Sequence, residues 1–124
     1  MTVIKKSDME IAMTDGDKLV ARIADAGEMA FMRVNLPAGT DFTAGLEAAG
    51  GPNRCAVPHW MFVISGALQI HHNDGRVDIA KAGEFLYAEP GHTALCEVDT
   101  EIIEVSPRLA IRELLGKMLA AAPA

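Results

Sequence analysis

Cys55 and His59, two residues of metal-ligating type, stand four positions apart at the head of the apolar stretch CAVPHWMFVISGAL, which ends at Leu68. A strand built for burial seldom opens with two good ligands for packing reasons alone. The pair therefore reads either as part of a site or as the first residues of a core strand. In the second reading Cys55 is a small buried hydrophobe, and His59, next to Pro58, is held by a backbone carbonyl. Further candidate groups follow: His71, His72, Tyr87, Glu89, His92 and Cys96. His71 and His72 are adjacent, so on a strand they face opposite sides and cannot both serve one site. His72 shares the side of Leu68 and Ile70 and is expected to point inward, at a solvated strand end. Cys96 has the parity of His92 and Ala94 and reads as a small buried residue.

The composition narrows the partners these groups could serve. A chain of 124 residues, half of them hydrophobic, suits one domain spanning 1–124 with one core. The net charge of −6 leaves no basic footprint for a polyanion, so nucleic acid is not an expected partner. MTVIKKSDMEIAM has two lysines but no apolar region after them, unlike a signal peptide. No apolar run reaches the roughly 20 residues that span a bilayer. The expectation is a cytoplasmic protein without a membrane partner, its two cysteines reduced rather than joined.

The elements that must position the candidate residues are mostly strands. KLVARI (Lys18 to Ile23) and MAFMRVNL (Met29 to Leu36) alternate in polarity as half-buried strands do. Thr40 to Asn53 reads as a loop with one short helical turn. HWMFVI, LQIHH, RVDIA and the run from Phe85 to Ala88 follow at short spacing, with Asn73-Asp74-Gly75 as a hairpin signal. TALCEV and EIIEV are expected to form a last hairpin. Short strands separated by glycine-rich turns imply a sandwich or barrel. On the strand from His59, Met61 and Val63 share the histidine's face, while Trp60 and Phe62 lie opposite as core or interface. Ser106-Pro107 fits an N-cap followed by proline at the first helical position. Beyond it Leu109, Ile111, Leu114, Leu115, Met118 and Leu119 form an amphipathic stripe. That stripe is expected to pack on the barrel or on a partner subunit, and it lacks the basic face of a membrane-binding helix.

His59 to Leu68, the Asn-Asp-Gly hairpin, Lys81-Ala82-Gly83-Glu84, Phe85-Leu86-Tyr87 and Glu89-Pro90-Gly91-His92 together resemble a small single-domain cupin of the RmlC-like jelly-roll type. The resemblance covers roughly Phe31 to Pro107. It implies an all-β fold, a double-stranded β-helix or jelly-roll barrel over about 18–106, followed by a C-terminal α-helix over about 107–121. It also implies a homodimer, and a divalent metal held by three histidines and a glutamate at the barrel mouth. Gly66, Gly83 and Gly91 match the glycines of the two cupin motifs. The four ligand places hold other residues: Asn53 and Cys55 for the first two histidines, His59 for the glutamate and Ala94 for the third histidine. Glu89 replaces a motif proline.

Because His92 and Ala94 share a strand face, His92 is a candidate to complete a Cys55, His59, His92 set. The alternative places His92 at a solvated turn after Pro90-Gly91. Thiolate with imidazole suits Zn, Fe, Ni or Cu better than Mg or Ca, and three protein ligands leave an open coordination place of catalytic type. The functional expectation is a metal-binding cupin, in enzymatic form an oxygenase, isomerase or lyase acting on a small organic molecule. Tyr87 and Glu89 are candidate catalytic residues, with Glu89 read alternatively as a solvated turn carboxylate. The alternative function is a non-catalytic small-ligand or interaction module, its pocket formed by Met61, Val63 and Phe85 with Leu86.

Overall fold

The computed structural model describes residues 3–16, 18–49 and 55–121. Asn53 lies outside them. Among the described residues nine strands form two antiparallel sheets. They are β1 (Glu10–Asp15), β2 (Leu19–Ala26), β3 (Met29–Leu36), β4 (His59–Ser65), β5 (Ala67–His72), β6 (Val77–Lys81), β7 (Phe85–Ala88), β8 (His92–Leu95) and β9 (Thr100–Pro107). A 3-10 turn at Lys6–Asp8 and two α-helices, α1 (Thr43–Ala48) and α2 (Arg108–Ala121), accompany them among the described residues. The larger sheet has the order β1-β2-β3-β9-β4-β7 and the smaller the order β6-β5-β8. This is the jelly-roll arrangement of an all-β fold with a C-terminal helix.

Period-two alternation sorts the side chains of the larger sheet. Met32 and Val34 on β3, Ile102 and Glu104 on β9, and Met61 and Val63 on β4 occupy matched registers and face inward. The smaller sheet contributes Leu68 and Ile70, both fully buried. The opposite face of the larger sheet carries Phe31, Trp60, Phe62, Phe85, Tyr87 and Ile103, also in register with one another.

Several local expectations change in the folded chain. The sheet begins at Glu10, ahead of the expected barrel start near 18, because β1 is an edge strand whose polar residues conceal its alternation. The Asn73-Asp74-Gly75 hairpin joins β5 to β6, with Gly75 at φ +91°. The expected last hairpin does not form: β8 pairs with β5 in the small sheet, whereas β9 lies between β3 and β4 in the large one. Gly66 explains its own place in the motif. It sits at φ +82°, and a Cβ there would collide with the Asp99 carbonyl and the Thr100 backbone.

Ser106 does not cap α2. It lies on β9, fully buried, and Pro107 ends that strand opposite Met29. The helix that follows turns Ile111 and Leu115 into the core, with Leu114 and Met118 packed beside them. Met118 also meets α1 at Gly45. Arg112 pins the helix to the sheet through Asp25 (2.9 Å) and Glu10 (2.8 Å). Of the stripe, Leu109 and Leu119 stay exposed. The helix therefore spends most of its apolar face closing one end of the barrel.

Candidate functional site

Backbone pairing sets the site. Cys55 and His92 form an isolated antiparallel bridge in which each backbone N–H points to the other residue's carbonyl. The Gly91 N–H adds a bond to the Cys55 carbonyl at 2.8 Å. His59 opens β4 on the inward face, four residues after Cys55. These constraints bring Cys55, His59 and His92 together, with one ligand atom from each lying within 4.8 Å of the others. All three side chains are buried. The Cys55 Sγ is 3.3 Å from His59 Nε2, and the two imidazole rings meet edge to face at 5.1 Å. The cluster could hold a metal ion.

The far side of each imidazole has its own partner. Ser106 Oγ donates to Glu104 Oε2 at 3.0 Å and lies 2.7 Å from His59 Nδ1. With the serine proton directed at the carboxylate, His59 Nδ1–H is the donor to Ser106, and Nε2 carries the lone pair on the Cys55 side. Glu104 Oε2 itself is 3.3 Å from His59 Nδ1. His92 Nδ1–H donates to the Glu89 carbonyl at 2.7 Å, which likewise leaves the lone pair on Nε2. Metal-bound histidines are oriented in this way, the other ring nitrogen held by a carboxylate, carbonyl or hydroxyl. The donor set and its supports thus fit a thiophilic divalent ion.

The Cys55 thiol receives the Val57 N–H at 3.4 Å, a contact that favours thiolate. Burial outweighs it. Desolvation, with a smaller contribution from the Glu104 carboxylate, pushes the thiol pKa up to about 11 from 9.0. Without a cation the thiol is protonated and no nucleophile at neutral pH.

Among the candidate residues, Ala94 faces the cavity at the usual histidine place, so an imidazole arrives there only from His92, two residues earlier. Met61 lines the cavity. Val63 is fully buried in the core beyond it. Phe85 does not line the pocket: it is 83% exposed on the outer face, tilted against Phe62, because β7 alternation turns Leu86 and Ala88 inward instead. The same alternation places Tyr87 outside, stacked on Trp60. The Glu89 carboxylate is exposed and paired with Arg76 at 2.7 Å, so only its carbonyl reaches the site.

His72 is buried at a strand end that was expected to be solvated. It stands in register with His92, but its Nε2 engages Asp78 at 2.7 Å and it lies outside the cluster. Cys96 donates to the Pro37 carbonyl at 3.3 Å, away from the cluster, and both cysteines are free thiols. Glu104 and Ser106 are the site residues that sequence reasoning missed. Their only signal was parity with Ile102.

No protein-family model matches the chain, and no curated protein matches it in sequence. Solved structures match its fold. An RmlC-like cupin from Shewanella frigidimarina superposes with a TM-score of 0.60 at 15% identity, covering 86% of this chain and 90% of that one. Ectoine synthase from P. lautus gives 0.61 at 12% identity, covering 86% and 78%. FeII HppE gives 0.60 at 10% identity, covering 86% and 60%. The chain has the fold of a small cupin domain. Among the described residues, no helix is long and apolar enough to cross a membrane.

Proposed function

We propose that this cupin-fold chain binds one divalent transition metal, Zn, Fe, Ni or Cu, through Cys55, His59 and His92, and acts there on a small organic molecule. The observation that carries this reading is the convergence of three ligand atoms within 4.8 Å of one another. Both imidazoles are oriented from behind, by Ser106 with Glu104 and by the Glu89 carbonyl. Three protein ligands leave a coordination place open, which is the catalytic rather than the closed structural pattern. A bound ion would supply Lewis acidity or activate water or O₂. The protein's own part is to hold the two Nε2 lone pairs in place, to keep water out with apolar walls, and to offer the Ser106–Glu104 pair as the group that receives positive charge developing on His59. That one structural neighbour is an FeII protein is consistent with such chemistry on this fold.

Protein purified without chelator is expected to contain roughly one transition-metal ion per chain. Zn²⁺ at a hundredfold excess over its Kd adds about 2.7 kcal/mol of stability, a rise in Tm of roughly 10 °C for a chain of this size. Less than about a tenth of an equivalent of metal, with no rise in Tm, overturns the reading. In that event the protonated thiol, bonded to His59 in an apolar cavity, favours the second reading, a non-catalytic binding module.

A second copy of the chain is the proposed cover of the outer sheet face. Phe31, Trp60, Phe85 and Tyr87 are 40%, 45%, 83% and 51% exposed there. At about 200 Å² for an open aromatic ring, they leave roughly 440 Å² to solvent, more than half of the ~800 Å² per partner in a stable interface. Light scattering is expected to give twice the chain mass for the native protein and the chain mass for a Phe85→Ser, Tyr87→Ser variant. A monomeric native protein refutes this.

A further inference from the structure

The cavity that the cluster faces has a chemistry of its own. It holds about 90 Å³ between the inner faces of the two sheets, and α1 and α2 contribute to its wall. Among the described residues four methionines line it: Met13, Met32, Met61 and Met118. Among the described residues, every one that lines it is apolar apart from Cys55, His59, His92 and Glu104, and none is lysine or arginine. Three cations on the surrounding elements are ion-paired elsewhere. Arg112 reaches Asp25 and Glu10, Lys117 reaches Glu113, and Arg33 reaches Glu101.

We infer that the molecule this site takes is small and uncharged, an aliphatic or aromatic body with a single donor atom directed at the Cys55–His59–His92 cluster. The inference rests on the metal-binding reading for the role of the donor atom, and on the walls alone for size and charge. By proportion to the cavity of about 150 Å³ that admits benzene, 90 Å³ suits roughly four non-hydrogen atoms. Thioether side chains are flexible and polarisable, so the walls can yield to somewhat larger bodies. A carboxylate or phosphate would be stripped of water among these walls with no lysine or arginine among the described lining residues to pair it and with the Glu104 carboxylate at the same end. The two charges of a bound divalent ion would already be balanced by the Cys55 thiolate and Glu104, so the placement is costly with or without the ion. An amide, alcohol, thiol or carbonyl compound avoids that cost.

The test uses an isosteric pair, propanamide and propanoate, with acetamide and isobutyramide flanking the amide in size. Binding is read from the methyl signals of [methyl-¹³C]methionine protein, metal-free and Co²⁺-loaded, assigned by single Met→Leu variants. The amides are expected to move the signals of Met13, Met32, Met61 and Met118 and to leave those of Met9 and Met29. From acetamide to propanamide the added carbon should tighten binding about fourfold, isobutyramide should gain less because it exceeds the cavity, and propanoate should bind at least about tenfold more weakly than propanamide. Propanoate binding as tightly as the amide, or no gain along the amide series, overturns the inference. Co²⁺ loading is followed separately by thiolate-to-metal absorption. If the ion loads and no amide moves the methyls, the substrate class is wrong and the metal reading stands. If amides bind the metal-free cavity but no ion loads, the metal reading fails and the class stands.

Discussion

Cys55→Ser is expected to lower Zn²⁺ affinity roughly 100- to 1,000-fold while leaving the fold intact. Structural zinc sites bind with about 10–16 kcal/mol in all, so one ligand accounts for roughly 3–4 kcal/mol, or two to three orders of magnitude. A serine oxygen is harder than thiolate and does not ionise near neutral pH, so it does not replace the sulfur. Glu104→Gln carries a smaller and more telling effect. The glutamine can still accept from Ser106, but the negative charge behind His59 is gone, and a loss of about 10- to 100-fold is expected for such an outer partner. Competition against a chelating dye measures both, with circular dichroism confirming the fold. A Cys55→Ser protein within a few-fold of native affinity removes Cys55 from the ligand set.

The second large effect is on stability against pH in the metal-free protein. The Cys55 thiol stands at about 11 in the folded chain against 9.0 as an ordinary thiol. A raised acid pKa means that the folded state keeps its proton where the unfolded state has lost it. The stabilisation is fully present below pH 9 and is lost as pH rises towards 11. Two pKa units correspond to about 2.7 kcal/mol. Urea unfolding of the native chain is to be compared with that of Cys55→Ala between pH 8 and 11, so that contributions common to both chains cancel. The native chain should lose roughly 2–3 kcal/mol more over that range than the variant. Equal pH slopes would show that the thiol is not desolvated. The same proton must leave when a metal binds, so metal affinity should climb about tenfold per pH unit in the same range.

Much of the fold was legible because its signals are local. Alternation in KLVARI and MAFMRVNL and the apolar run HWMFVI marked three inner strands, and Asn73-Asp74-Gly75 marked a hairpin whose turn needs φ > 0 at Gly75. The pairing of those strands was not legible, since it depends on contacts between distant segments. β8 and β9 read as a hairpin from their spacing, yet each finds its partners in a different sheet. Ser106 shows the same limit. Serine before proline is a good helix start in isolation, and only the packing of β9 between β3 and β4 turns its hydroxyl towards His59.

Glu104 marks the boundary most clearly. In EIIEVS, one face holds Ile102, Glu104 and Ser106, and the other Glu101, Ile103 and Val105. Hydrophobicity alone would bury the second set and expose the first. The folded chain does the reverse, and the buried carboxylate is tolerated because Ser106 and His59 supply hydrogen bonds to it and beside it. By itself, the sequence determined the residue types of soft coordination chemistry, the two-residue period of the strands and the turns between them. The tertiary structure decided which of those residues meet. It joined Cys55 to His92 through a backbone bridge, set Glu104 and Ser106 behind His59, and sent Phe85, Tyr87 and the Glu89 carboxylate outside. A site depends on distances across the sheets, and those are set only when the strands pair.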